Sequence, residues 1–340
     1  MRDVINMLSM RSRGVWLSLL LVLFSMGVDA QEHIRFVTYN VENLFDCVDD
    51  SLTSDEDFLP SSLRHWTPYR YHAKLHAIAR AITTIGSNSA PDIVALCEVE
   101  NDSVLFDLTN RSPLRSVGYR YLITSSLDPR GIDVALLYKP TTFRPFDCRS
   151  LRIPISYLPN GEHVRDVLCV SGCLVTGDTI DVLVCHLPSR INGRKSDNLR
   201  LRVVEYMKRT IDSLVTSRTT SRVVVMGDFN DEPHNMALRP LLADSLLECV
   251  TDTLGGSYRY KGQWEQIDHI YLSRSLLSND NSLHLSSRGP WVDVHNRLVE
   301  PELLYGGYRP KRTYNGMRYI GGTSDHLPVC FDLEYSWDNY

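Results

Sequence analysis

Side chains able to bind metal ions or move protons recur where the apolar runs of this sequence begin or end. They are carboxylates, amides and histidines, namely Asn40, Glu98, His186, Asp228, Asn230, Asp268, Asp325 and His326. Strand ends present functional groups at the rim of a sheet scaffold. We therefore expect these residues to meet at one rim of the fold.

These residue types suit the hydrolysis of a phosphate ester. That reaction needs an in-line nucleophile, stabilisation of charge on the non-bridging oxygens, and a proton or cation for the departing oxygen. The Glu98 and Asp325 carboxylates and the Asn40 amide are hard oxygen ligands, which suit Mg²⁺, Mn²⁺ or Ca²⁺ rather than zinc. Each residue alone is a weak signal, because a glutamate at a strand end is usually only a solvated charge. The order and spacing of the whole set carry the prediction.

Two motifs in this set, Gly227-Asp-Phe-Asn230 and Ser324-Asp-His-Leu-Pro328, form a specific combination. Together with Asn40, Glu98 and the residues between, they resemble the endonuclease/exonuclease/phosphatase family. That family includes pancreatic deoxyribonuclease, abasic-site endonucleases, neutral sphingomyelinases and inositol-polyphosphate 5-phosphatases. The resemblance runs from about Ile34 to Leu333. It implies an α/β fold, a four-layer α/β/β/α sandwich with two mixed β-sheets packed face to face, which binds a divalent metal and hydrolyses phosphate esters.

The resemblance also implies a metal site. Glu98 matches the family's main metal ligand, Asn40 assists it, and Asp325 belongs to the same group of oxygen ligands. The expected cofactor is Mg²⁺, with Mn²⁺ or Ca²⁺ as alternatives. Glu42 lies two residues beyond Asn40, and its roles as a further ligand or as a surface charge stay equally open.

Four residues match the family's catalytic positions. Asp228 matches the aspartate that orients or deprotonates the attacking water, and Asn230 matches the amide that donates to the phosphate or holds the water. His326 matches the histidine that faces the scissile phosphate. Asp268 matches the carboxylate that fixes the tautomer of this histidine and raises its basicity.

Two further residues follow the run that ends at Cys185. His186 occupies a position where family members carry histidine or tyrosine, and we expect it to contact the phosphate or the leaving group. Arg190 could clamp a phosphate oxygen or could equally be a loop arginine paired with an acid. One departure from the family is Cys97, since many relatives have glutamine before the metal-binding glutamate.

Strands dominate the elements that must position these residues. At least eight strand-like segments occur with few helices between them, which favours two sheets packed face to face over one parallel sheet. Residues 276–322 are irregular, and we interpret them as loops at one rim. The predicted strands are 34–39, 93–97, 119–124, 132–138, 167–175, 180–186, 222–227, 267–273 and 328–333, and the predicted helices cover 75–85 and 198–215.

Residues 1–30 have the pattern of a secretory signal. Three arginines precede the apolar run 15–28, and Val28 and Ala30 place small side chains before Gln31. The run is short for a bilayer span, which needs about 20 residues, so an uncleaved anchor is the less favoured alternative. We expect cleavage near Ala30, an exported protein that is periplasmic or secreted, and one catalytic domain over residues 31–340.

Composition narrows the class of protein. Apolar residues make up 43% and charged residues 23%, which is typical of a soluble globular domain and excludes disorder and a multi-span membrane protein. The formal charge of -5 argues against binding nucleic acid through overall charge. Eight cysteines without Cys-x-x-Cys spacing make a zinc site improbable, and we expect mostly free thiols.

The substrate class is the least determined feature. The stretch Arg309–Tyr319 mixes cations with tyrosines, a combination that can hold phosphates and stack bases, so a nuclease acting on nucleic acid is favoured. The alternative is a phosphatase or a sphingomyelinase-like phospholipase acting on a small phosphate ester or lipid head group. A non-enzymatic binding protein is least favoured, because every motif position is filled. No stable protein partner is implied.

Overall fold

Two mixed β-sheets lie at the centre of the computed structural model, which describes residues 32–86, 89–158 and 162–336. The predicted signal segment lies outside these residues. From His33 onward the described chain forms one compact unit. Within the described part, no helix combines the length and the apolar character needed to cross a membrane.

The helices and strands follow one another in this order. The described helices are α1 (Pro68–Thr84), α2 (Asp102–Asn110), α3 (Arg194–Ser217) and α4 (Arg239–Leu242). The described strands are β1 (Glu32–Leu44), β2 (Ile93–Val99), β3 (Arg120–Ile123), β4 (Asp133–Tyr138), β5 (Phe143–Leu151), β6 (Val167–Leu174), β7 (Thr179–His186), β8 (Val223–Asp228), β9 (Leu247–Cys249), β10 (Tyr258–Tyr260), β11 (Gln263–Glu265), β12 (Asp268–Ser273), β13 (Leu283–Leu285), β14 (Trp291–Val292), β15 (Val299–Pro301), β16 (Tyr308–Pro310), β17 (Tyr314–Asn315), β18 (Arg318–Tyr319) and β19 (Val329–Tyr335).

Each large sheet contains a parallel pair of strands as well as antiparallel pairs. The first sheet has the order β13-β19-β1-β2-β4-β3, with β14 also on β19, and its parallel pair is β1 with β2. The second has the order β5-β6-β7-β8-β12-β9, and its parallel pair is β7 with β8. Three two-stranded hairpins, β10–β11, β15–β16 and β17–β18, complete the set.

The hydrophobic core separates into three layers of contact. The middle layer joins the inner faces of the two sheets, where the Phe36 and Phe331 rings stack 4.7 Å apart. Helices α1 and α2 pack on the outer face of the first sheet, with Leu75 and Ile78 of α1 fully buried. Helix α3 packs on the outer face of the second sheet. The order of layers is therefore α/β/β/α, which confirms the predicted four-layer sandwich.

Strand register brings the ends of the central strands together. His186 and Asp228 are direct neighbours on the parallel pair β7 and β8, and Asp268 lies opposite Asp228 on antiparallel β12. In the first sheet Asn40 pairs with Cys97. The Cys97 thiol lies 3.5 Å from the Cys185 carbonyl oxygen, which joins the two sheets beside these strand ends. Carboxyl ends of parallel strands from both sheets thus meet at one rim.

The elements differ from the predictions in several places. Helix α1 begins seven residues earlier than predicted, at Pro68, and helix α3 begins four residues earlier, at Arg194. Helices α2 and α4, strand β5 and the short strands β9, β10 and β11 were not predicted. Helix α2 is short and six of the nine residues of β5 are exposed, so neither has a strong apolar period. Residues 276–322 include short paired strands as well as loops. All eight cysteines are free thiols.

Candidate active site

A buried hydrogen-bond network links Asp228, His326 and Asp268. The His326 Nδ1 atom lies 2.7 Å from Asp268 Oδ2, and its Nε2 atom lies 3.8 Å from Asp228 Oδ2. The Ser257 hydroxyl donates to the same Asp268 oxygen at 2.5 Å. Asn40 Nδ2 donates to Asp228 Oδ2 at 2.9 Å, so a residue of the first sheet orients a carboxylate of the second. The geometry orients the Nε2 atom of His326 towards Asp228.

Burial and mutual charge shift the pKa values of this network. Burial raises the pKa of Asp228 to about 7; the His326 charge opposes this and Asp268 adds to it. Burial disfavours the imidazolium form of His326, but the carboxylates of Asp268 and Asp228 outweigh it and hold its pKa well above the usual range. His326 therefore holds a proton, while the Asp228 carboxyl group ionises near neutral pH and can then accept one. Such groups can exchange a proton with a reacting water.

His186 reaches both the Asp228 carboxylate and Glu98. Its Nε2 atom lies 3.5 Å from Asp228 Oδ2 and 3.9 Å from Glu98 Oε1. Burial, followed by the positive charges of Arg165 and Arg130, lowers the pKa of His186 well below its usual value. The imidazole is neutral, so it offers a hydrogen bond rather than a positive charge.

Three further acidic side chains, Glu42, Glu98 and Asp325, line the same cleft as His186, and we call them the carboxylate trio. This cleft has a volume of about 980 Å³. Arg312 bonds to Asp325 and lies 3.5 Å from Glu42. Burial, followed by the Asp325 charge, raises the pKa of Glu42 to about 7, against the opposing effects of Lys74, the Thr313 amide and Arg312. Glu42 is therefore a member of the site rather than a surface charge.

Left-handed backbone conformations hold parts of this site. Glu42, Asn43, Glu98 and Asn230 have φ values of 51°, 53°, 65° and 51°. Such conformations cost non-glycine residues about 1–3 kcal/mol each and persist only where surrounding contacts enforce them. Here the Glu42 amide donates to the Asn40 side chain at 2.9 Å, and the Asn43 amide donates to Glu98 at 2.8 Å. These hydrogen bonds hold the strained backbone at Glu42 and Glu98 and so fix the directions of their side chains.

Gly227 explains why the Gly-Asp-Phe-Asn motif begins with glycine. Its φ is 149°, and a Cβ atom there would lie 1.9 Å from the Cys185 carbonyl oxygen. We expect Gly227→Ala to lower the free energy of unfolding by about 3 kcal/mol or more, as strain and overpacking add. Urea denaturation measures this. Gly177→Ala is the matched control, because Gly177 has φ 89° but open space around it, so only strain applies. Equal losses for the two variants would contradict the close-contact argument.

The remaining predicted residues lie at the same cleft but already have partners. Asn230 donates its amide Nδ2 to the Leu187 carbonyl at 3.1 Å, and its backbone amide donates to Asp228 at 2.9 Å. Arg190 bonds to Glu265. Of the two readings open for Arg190, the structure shows the pairing with an acid.

Several residues of the site escaped the sequence analysis. Arg165 is buried and donates to the carbonyls of His186 and Leu187 at 2.9 and 2.8 Å, so it fixes the turn that carries His186. The Tyr258 ring packs against the His326 ring in a tilted arrangement, with the ring centroids 4.9 Å apart. Lys74 was detectable in principle, because it interrupts the apolar face of α1. Arg165 and Tyr258 give no local sequence signal, since only the tertiary fold brings them to the site.

The donor set fits a divalent metal. Asp228, Asp268 and His326 place one ligand atom each within 4.8 Å of one another, the single such group in the described chain. Two of these three residues already share a 2.7 Å hydrogen bond. The carboxylate trio instead offers only oxygen atoms beside the Asn40 amide, the chemistry that Mg²⁺, Mn²⁺ and Ca²⁺ prefer.

A family sequence profile matches residues 35–335, and its description is the endonuclease/exonuclease/phosphatase family. The chain belongs to this family. Because its members are metal-dependent hydrolases of phosphate esters, the chain is identified as a metal-dependent phosphoesterase of this kind. Among curated proteins, none matches the sequence significantly.

Solved structures of the family share the fold at low sequence identity. The human Nocturnin catalytic domain is 16% identical, with a TM-score of 0.57 over 91% of this chain and 97% of that chain. A mannosyl-6-phosphatase from Bacteroides thetaiotaomicron is 15% identical, with a TM-score of 0.56 over 88% and 99%. TDP2 from Caenorhabditis elegans is 13% identical, with a TM-score of 0.55 over 90% and 75%. These similarities support the fold and not a particular substrate.

Proposed function

We propose that this protein hydrolyses a small phosphate ester, with a divalent metal in the carboxylate trio. We choose this substrate class because the arginines of the cleft are paired with carboxylates. Each of the five arginines that line the cleft in the described structure has a carboxylate partner. The pairs are Arg64–Asp57 at 3.2 Å, Arg130–Glu98 at 3.8 Å, Arg165–Asp128 at 3.0 Å, Arg190–Glu265 and Arg312–Asp325.

Paired arginines disfavour an extended polyanion as substrate. A protein that tracks a nucleic acid backbone neutralises several phosphates with free cations. In this cleft each arginine has a carboxylate partner, although Arg130 and Arg312 share theirs with the metal, so few free cations remain to follow an extended backbone. This arrangement fits a compact substrate. The mannosyl-6-phosphatase among the structural neighbours has a name that is consistent with such a substrate.

The basic, tyrosine-rich stretch 309–319 gives less support for nucleic acid than its sequence indicates. Tyr314 is only 5% exposed and packs 6.0 Å from the Trp66 ring. Arg309 pairs with Glu300 and Glu302. A nuclease is the second candidate function, because Tyr260 lines the cleft and is exposed enough to stack a base.

The residues have the following proposed roles. Glu98, Asn40, Asp325 and Glu42 would hold the metal, which when bound supplies positive charge to the phosphoryl oxygens. Asp228, oriented by Asn40, accepts a proton from the attacking water. His326, with its tautomer fixed by Asp268, faces the phosphoryl group, and neutral His186 donates a hydrogen bond to it.

A substrate panel tests the proposal. Purified protein is assayed with Mg²⁺ on sugar phosphates, other small monoesters and diesters, sphingomyelin, plasmid DNA and single-stranded RNA, with and without EDTA. We expect EDTA-sensitive turnover of a small ester at a rate that changes little between 50 and 200 mM salt. A nuclease would instead lose affinity steeply over that range. Nicking of DNA or RNA without turnover of any small ester would refute the small-ester proposal in favour of the second candidate.

A further inference from the structure

Lys74 is a fully buried lysine beside the carboxylate trio. It lies on α1 next to Leu75, on the face that packs against the first sheet, and is 1% exposed. Its ammonium donates to the Glu42 carbonyl oxygen and, at 2.6 Å, to the Thr313 hydroxyl. Both partners are neutral oxygens, so these hydrogen bonds hold the charge in place without cancelling it.

The charges that act on this ammonium come from the trio. Burial lowers the pKa of Lys74 to about 8, and the negative charges of Glu42, Asp325 and Glu98 oppose this by favouring its protonated form. A buried lysine is costly unless such charges compensate it. Its position therefore suits a fixed cation of the site rather than a contribution to packing, which an apolar side chain would provide better.

We propose that the Lys74 ammonium stands in place of a second divalent cation and limits the carboxylate trio to one metal ion. This inference rests on the proposed function, which places a metal in the trio. Lys74 is a positioning residue in this proposal, since it acts through the charge balance of the metal ligands and does not touch the substrate.

The charge balance supports a single ion. Three cations, Lys74, Arg312 and Arg130, face the three carboxylates of the trio, which leaves no net charge before a metal binds. One divalent ion already makes the cluster positive, and that suits a phosphate dianion. A second ion would add two more positive charges. Because paired metals in two-metal sites lie only about 3.5–4 Å apart, these charges would repel the first ion strongly. Without Lys74 the same ligands could accommodate both ions.

Mn²⁺ binding tests the inference without any substrate. Equilibrium dialysis and electron paramagnetic resonance give the number of ions per chain, with Glu98→Gln as the background for other acidic surfaces. We expect one ion for the wild type and two for Lys74→Met, whose side chain is apolar and of similar length. Lys74→Arg keeps the charge, and Thr313→Val removes a hydrogen bond but no charge, so both should bind one ion.

The outcomes separate this inference from the proposed function. Two ions in the wild type would overturn the role of Lys74 and leave the phosphoesterase proposal intact. A folded Lys74→Met protein that still binds one ion would overturn it as well, with circular dichroism as the check on folding. Lys74→Gln replaces this variant if it fails to fold. A wild type that binds no ion above the Glu98→Gln background would instead refute the metal site of the proposed function.

Discussion

Replacing His326 by alanine should reduce kcat by about 10³ while the protein stays folded, because general acid–base groups contribute about 10²–10⁴. His326 is the one side chain that contacts both Asp268, at 2.7 Å, and the Asp228 carboxylate, at 3.8 Å, within the described structure. The measurement is steady-state kinetics on the best substrate of the panel, with circular dichroism as the check on folding.

Asp268→Asn provides the second step of this experiment. It keeps the size of the side chain but removes the charge that stabilises imidazolium at His326. We expect a smaller loss of kcat than for His326→Ala. The apparent pKa of His326 in the pH–rate profile should also be lower than in the wild type. Ser273→Ala on the same strand is a control away from the cleft and should keep wild-type rates. Wild-type turnover by His326→Ala on every substrate would show that the catalytic network is assigned to the wrong residues.

Asp228→Asn should reduce kcat about as much as His326→Ala does, because the amide cannot accept the proton of the attacking water. In the wild type the pKa of Asp228 is about 7, so the carboxylate is protonated below that pH and the metal-free network loses its base. We expect the rate to rise with pH up to about 7 and then to level off. A bound metal shifts this midpoint to lower pH, which a titration at two Mg²⁺ concentrations would show.

Asp228→Asn should stabilise the fold at neutral pH even though it removes activity. The folded-state pKa of Asp228 lies above the unfolded value of 3.8, so its ionisation opposes folding increasingly from about pH 4 to pH 7. The Tm of Asp228→Asn relative to wild type should therefore rise from about pH 4 to pH 7 in the presence of EDTA and then stay level. A difference in Tm that stays constant over this range would contradict the raised pKa.

Local sequence signals were sufficient to predict the central strands and the long helix of the sandwich. Alternating and continuous apolar runs predicted the central strands, and the amphipathic period predicted α3, because a strand or helix that buries one face must carry apolar residues at the matching spacing. Strand β5 was missed for the same reason, since it is mostly exposed. The structure brings predicted strand-end residues of both sheets to one rim, because central strands of each sheet end there.

The interpretation of the cations needed the folded structure. Arg309, Arg312 and Tyr314 form a basic, aromatic stretch in the sequence, but Tyr314 is buried and both arginines are paired. Pairing depends on residues far apart in the chain, as Arg190 and Glu265 show. Composition and spacing carry no information about such partners.

The sequence by itself determined the fold, the family and the strand-end residues whose side chains can take part in chemistry. These features depend on periodic burial and on short motifs at strand ends. Tertiary structure alone decided the state of those residues. Burial of Asp228 raises its pKa, Asp268 holds the proton on His326, and the fold places Lys74 beside the carboxylate trio. These effects arise from charges brought together in a medium of low dielectric constant, and only the packing of two sheets and a helix creates that medium.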